Sequence, residues 1–212
     1  MRDPATSTCL FLDIGGVLLT DGWGRHARER AAATFNRELA EMEERHRLIW
    51  DTYQMGRITL DRYLDRVIFC RKRPFTRAQF RQFIFDQSRP HSEMLDLITQ
   101  LKRSHGLKIA VVSNEGRELN ACRIRRFKLD KLVDCFISSC FVHRLKPDPD
   151  IFRLALDIAQ VSVQQVVYIE NTAMFVEIAE GLGIRGILHT DCRSTRLKLA
   201  EMGLSQIKSD PS

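Results

Sequence analysis

The 212-residue chain has no CxxC pair among its six cysteines, no internal repeat, no low-complexity segment and no zinc-finger or RNP-type motif. Cys9, Cys70, Cys122, Cys135, Cys140 and Cys192 are scattered, and several lie in apolar segments. Without CxxC spacing, a zinc knuckle or thioredoxin-like redox site is not expected. A free thiol in an apolar segment behaves as a small hydrophobe. No apolar run approaches the roughly 18–20 residues that a membrane helix needs. The first residues, MRDPATSTCLFLD, lack a signal peptide's order of basic start, long apolar run and small-residue cleavage site. These absences lead to the expectation of a cytoplasmic protein with no membrane partner.

What is present is ordinary for a globular domain: 44% hydrophobic and 28% charged residues. The length suffices for one substantial domain, or one with a modest insertion. The net charge of +6 raises the question of nucleic acid. Most basic residues, however, are mixed with acids, as in RELAEMEERHR at 37–47. The one basic concentration, RKRPFTR at 71–77, reads as a solvated face or linker, and no nucleic-acid partner is expected.

Four short apolar, β-branched runs stand out: Cys9–Leu12, Lys108–Val112, Gln165–Ile169 and Ile184–His189, with a less clean fifth at Cys135–Val142. Such runs fit strands buried on both faces of a parallel sheet. Helical patterns lie between them. Ser92 is expected to cap a helix from Glu93 to about Ser104 that Gly106 ends. Asp148-Pro149 opens another, with proline at the first helical position. Ser194 is expected to cap a last helix that stops at Gly203. Residues 24 to about 90 hold no convincing strand and read as several helices, broken at Gly56 and Pro74; TRAQ at 76–79 has capping-box spacing. The pattern is an α/β sheet whose first strand is followed by a helical insertion.

In open parallel sheets, ligands bind beyond the carboxyl ends of the strands. The residues there are Asp13; then Ser113 and Asn114 in VVSNEG; Lys146 in HRLKPDPDIF; and Glu170 and Asn171 in VVYIENTAMF. An acid, a hydroxyl with an amide, a lysine and a second acid suit an oxygen-bound Mg²⁺ with a phosphate beside it.

At these residues the chain resembles the haloacid dehalogenase-like (HAD) hydrolase superfamily. FLDIGGVLL, VVSN, LKPDPDIF and YIENTAMFVEIAEGLGI are similar to its four motifs, in order. The resemblance implies a Rossmann-like parallel core, residues 1–22 and 91–212, flanked by helices, with a helical cap, residues 23–90, inserted after the first strand. It implies a phosphatase of a small phosphorylated metabolite. Asp13 would be the nucleophile, forming an aspartyl-phosphate. Asp13, the Gly15 carbonyl and Glu170 would hold Mg²⁺. Ser113 and Asn114 would bind the phosphoryl group, and Lys146 would steady nucleophile and phosphate.

Two positions depart from that pattern. Phosphatases of the superfamily usually carry a second Asp two residues after the nucleophile, which shuttles the leaving-group proton; here the position is Gly15. Gly recurs there in one branch with a DxGG-like start. Asp21, in LLTDGWGR, reads first as a plain turn residue and only second as a surrogate acid. Glu170-Asn171 stands where an Asp–Asp pair is usual, which implies weaker Mg²⁺ binding. These departures also leave open an impaired protein that binds a phosphorylated ligand or a protein partner. The dehalogenase branch usually has Tyr two residues after the Asp and a halide-cradling Arg, and neither is evident. Trp23, Arg25 and His26 follow the first motif and read either as substrate contacts or as packing of the helical insertion.

Overall fold

The computed structural model describes residues 7–205. Five strands form one parallel sheet: β1 (Cys9–Leu12), β2 (Lys108–Ser113), β3 (Cys135–Ser138), β4 (Val166–Glu170) and β5 (Arg185–Leu188), in the order β3-β2-β1-β4-β5. β1 lies at the centre, with Leu12 in register with Val111 on one side and Ile169 on the other. Because side chains alternate along a strand, Leu10 and Leu12 face one layer while Cys9 and Phe11 face the opposite one. The first layer is α5 (Ser92–His105), through Met94, Leu97, Ile98 and Leu101, together with Leu199 of α10 (Cys192–Glu201). The second is α8 (Asp150–Ala159), through Ile151, Phe152, Ala155 and Ala159, with Ala179 of α9 (Ala173–Gly181). Double-sided burial explains why the strands read as continuous apolar runs.

Between β1 and β2 lie α1 (Arg25–Thr34), α2 (Leu39–Gln54), α3 (Leu60–Val67) and α4 (Arg77–Asp86), ahead of α5. They share their own apolar cluster, centred on Trp23, Tyr53, Tyr63 and Phe80. The outgoing and returning chains run side by side: Thr20 N donates to Arg89 O (2.9 Å) and His91 N to Leu18 O (2.9 Å). Among the described residues no helix is long and apolar enough to cross a membrane.

Some local expectations shift. The Cys135–Val142 run splits into β3 and a single helical turn, α7 (Ser139–Val142). Ser92 is already helical, with His91 at the N-cap position. Asp191, not Ser194, caps α10: its side chain accepts from Ser194 N, and the helix ends at Glu201. Pro149 sits at the N-cap of α8 rather than inside it. The TRAQ capping box is present, with Thr76 and Gln79 bonding reciprocally.

Candidate active site

The parallel register brings the carboxyl ends of β1, β2 and β4 to one edge of the sheet. Asp13 follows β1, its N–H still in the ladder through Ile169 O (3.1 Å). Glu170 ends β4, and Lys146 arrives from the loop between α7 and α8. Lys146 Nζ donates to Asp13 Oδ1 (2.8 Å), Glu170 Oε2 (2.5 Å) and Tyr168 Oη (3.1 Å). The Tyr168 hydroxyl donates in turn to Glu170 Oε2 (2.6 Å). All four residues are buried.

Two carboxylates face one ammonium, so the cluster holds an excess negative charge. Burial pushes the Asp13 carboxyl up, Lys146 opposes the rise and Glu170 adds to it; the result is a pKa of about 7. Burial disfavours the charge on Lys146, but Asp13 and Glu170 outweigh it and hold the lysine above its usual range. Burial, then Glu170 and Asp13, drive the Tyr168 phenol well above its usual range, so it stays a neutral donor.

The other site candidates are placed differently. The Asn114 carboxamide clasps the Lys146 backbone, donating to its carbonyl and accepting from its N–H, both at 2.9 Å. The Ser113 hydroxyl is buried beside the Asp13 carboxylate, which it helps to stabilise, with long contacts of 3.4 Å to Ile14 N and Glu115 Oε1. Glu170 is saturated: Oε2 takes Lys146 and Tyr168, and Oε1 takes the N–H groups of Asn171 and Thr172, each at 2.9 Å. The Asn171 carboxamide nitrogen donates to Gly15 O (3.3 Å) and Glu170 Oε1 (2.8 Å). Trp23 is buried and donates to Tyr63 Oη (2.8 Å), while Arg25 and His26 both pair with Glu29 at the surface.

Asp13, Asn114, Lys146 and Glu170 form the floor of a cleft of about 270 Å³, walled by Asp21, Trp50, Glu115, Asn171 and Phe175. That volume sits near the lower end of small-molecule sites, roughly 300–1,000 Å³. Three contributors escape a linear reading. Tyr168 looked like one more strand residue; its signal was the two-residue spacing from Glu170, which puts both on one face. Glu115 and Arg123 form a buried ion pair beside the cleft. Arg123 belongs to α6 (Arg117–Arg126) and also donates to Ser88 Oγ (3.0 Å) and Thr20 O (2.9 Å). It thereby ties the end of the first-motif loop and the end of the helical insertion to the core. Gly22, at φ +68°, permits this, because a side chain there would meet the Arg123 guanidinium.

Comparison with known proteins gives the same picture. Residues 8–183 match the family described as haloacid dehalogenase-like hydrolase. The chain is 31% identical over 91 residues to a phosphorylated carbohydrates phosphatase of Thermotoga maritima, a match covering 42% of each chain. It is 25% identical over 95 residues to a putative pyrophosphatase, PpaX, of Caldanaerobacter subterraneus, covering 45% of this chain and 43% of that one. The chain thus spans less than half the length of these two relatives. Among solved structures, a HAD family enzyme of Bacteroides thetaiotaomicron, in complex with magnesium and inorganic phosphate, superposes with a TM-score of 0.73 at 19% identity. That alignment covers 87% of this chain and 94% of the other, and at such identity it speaks for the fold. A family match over most of the chain, on a fold that gathers the four motif residues at one sheet edge, establishes that the protein belongs to the haloacid dehalogenase-like hydrolases.

Proposed function

We propose that the protein is a Mg²⁺-dependent phosphatase of a small phosphorylated metabolite, such as a sugar phosphate, acting through an aspartyl-phosphate on Asp13. The observation that carries this is Lys146 held between Asp13 Oδ1 and Glu170 at the floor of the cleft, which leaves Asp13 Oδ2 off the ammonium. Oδ2 is then the oxygen that attacks phosphorus. Lys146 orients the carboxylate and neutralises part of the phosphate's charge. Asn114 and Tyr168 fix Lys146 from either side. With Asn114 engaged on the Lys146 backbone, the Ser113 hydroxyl beside Asp13 and backbone amides at the ends of β1 and β2 are the candidates for the remaining phosphate oxygens.

The donor set fits Mg²⁺. The cluster has negative charge to spare, and its candidate donors are oxygens. Mg²⁺ commonly binds through one or two carboxylates plus substrate phosphate and water. Asp13, the Gly15 carbonyl and the Asn171 carboxamide oxygen would hold it, with Glu170 serving Lys146 instead of the metal. When bound, the ion would offset repulsion between an anionic nucleophile and an anionic substrate. The helices of residues 23–90 would act as a cap, moving where Leu18–Thr20 runs beside Gln87–His91 and excluding water on closure.

A screen of phosphorylated metabolites with and without Mg²⁺, run beside Asp13→Asn, tests the reading. Mg²⁺-dependent turnover that Asp13→Asn abolishes supports it. Turnover unchanged in Asp13→Asn refutes it. Gly15 and Asn171 favour a second reading, a protein that binds phosphorylated ligands or a protein partner without hydrolysis; phosphate binding with no turnover would select it.

A further inference from the structure

The proton-transfer step has no owner at position 15, and another carboxylate lies beside the space a side chain there would use. A Cβ built on Gly15 would lie 3.5 Å from Asp21 Oδ1 and 3.9 Å from Asp13 Oδ2. The Asp21 carboxylate therefore reaches the place from which a side chain at 15 would address the nucleophile. A second glycine makes room for it, since a Cβ on Gly24 would meet Asp21 Cβ at 2.9 Å and Oδ2 at 3.2 Å. Asp21 lines the same cleft as Asp13 and Lys146, and makes no hydrogen bond or ion pair among the described residues. An ordinary turn aspartate would be spent on neighbouring backbone N–H groups. The Asp21 backbone is held from both sides: Arg123 binds the carbonyl of Thr20, and Gly22 packs on the same guanidinium.

Glu115 is the rival acid in the cleft wall. It is buried and its Oε1 is committed to Arg123 and Ser113, whereas Asp21 lines the cleft and is exposed.

We propose that Asp21 is the general acid–base of this enzyme, replacing the carboxylate missing at position 15; this rests on the phosphatase reading above. In the first half-reaction Asp13 Oδ2 bonds to phosphorus as the bond to the leaving oxygen breaks, and Asp21 gives its carboxyl proton to that oxygen. In the second, water attacks phosphorus and its proton passes to Asp21. The bond to Asp13 breaks, phosphate departs, and both carboxyl groups return to their starting states.

The test compares wild type, Asp21→Asn and Gly15→Asp/Asp21→Asn on two esters with Mg²⁺ present. 2,4-Dinitrophenyl phosphate leaves as a stable anion and needs no acid; 2-phenylethyl phosphate leaves as an alkoxide and does. Asp21→Asn should lose about 10²–10⁴ in kcat/KM on the alkyl ester and stay within about threefold on the aryl ester. On the aryl ester it should also show a burst followed by slow turnover, because the second half-reaction lacks its base. Gly15 has a negative φ and only ordinary contacts at its Cβ, so Gly15→Asp should restore at least tenfold of the alkyl-ester loss. Equal loss on both esters, or none on the alkyl ester, overturns the role of Asp21 while leaving the phosphatase reading intact. A wild-type enzyme inert toward both esters, with no phosphoryl group on Asp13, overturns both.

Discussion

Replacing Arg123 with methionine should come close to unfolding the protein. The guanidinium is 2% exposed and its partner Glu115 3% exposed. Methionine fills much of the volume but leaves the Glu115 carboxylate buried without its cation. Removing one partner of such a pair costs about 3–5 kcal/mol. Ser88 Oγ and Thr20 O lose their donor as well, at about 1–3 kcal/mol for each group left unsatisfied. The total rivals the roughly 5–15 kcal/mol that stabilises a typical domain. Urea unfolding would measure it, in Arg123→Met, Glu115→Gln and the double variant. The double variant should be more stable than Arg123→Met, because its buried group is neutral, so the two losses should be far from additive. The pH dependence has a definite sign. Burial already holds Glu115 above the usual carboxylate range, with Arg123 opposing. Without Arg123 the folded-state pKa rises further above the unfolded value. The folded state then binds the extra proton, so the Arg123→Met loss is greatest above that raised pKa and shrinks as pH falls. A cost under about 1 kcal/mol, or additive losses with no pH dependence, would refute the reasoning.

Other outcomes follow from the same structure. Mg²⁺ titration by calorimetry should give a dissociation constant well above the micromolar range, and Asn171→Asp should tighten binding at least tenfold, about 1.4 kcal/mol; micromolar affinity in wild type would contradict this. Lys146→Met should lower kcat on 4-nitrophenyl phosphate by at least about 10², and Tyr168→Phe by less than tenfold; equal losses would contradict the division of roles. His46 is buried in the helical insertion, where its Nδ1 shares a hydrogen bond with the Tyr63 hydroxyl, which accepts from Trp23. Burial, then Arg28, lowers its pKa to about 4, with Glu43 opposing. The folded state therefore keeps His46 neutral while the unfolded state takes up a proton below about 6.5. Wild-type stability should fall by at most about 3 kcal/mol between pH 6.5 and 4 relative to His46→Gln. Parallel curves for the two proteins would contradict that.

The sheet was legible because β1, β2 and β4 are buried on both faces, and such strands leave unbroken apolar runs. The run at Cys135–Val142 misled because periodicity cannot separate a buried strand from a helical turn. Helix starts slipped by one to three residues where two capping residues stood close together, as Asp191 and Ser194 do. At the site, Asp13, Lys146 and Glu170 were readable as strand-end or motif residues. What Glu170 does was not: its hydrogen bonds come from Lys146, Tyr168, two backbone N–H groups and the Asn171 carboxamide, and sequence order records only some of that proximity. Arg123 was hidden for the same reason. It reads as one of several arginines on α6, yet it grips Thr20 and Ser88, which only the folded chain brings near. Asp21 was visible in the sequence but ambiguous; the space left by Gly15 and Gly24 is what distinguishes it.

The central claim is that phosphorus passes through a bond to Asp13. The direct measurement is rapid acid quench of the enzyme during turnover of 2,4-dinitrophenyl phosphate, followed by peptide mapping by mass spectrometry. One phosphoryl group should appear on Asp13, accumulating in Asp21→Asn and absent in Asp13→Asn. Turnover with no phosphoryl group on Asp13, or a phosphoryl group on another residue, would contradict it.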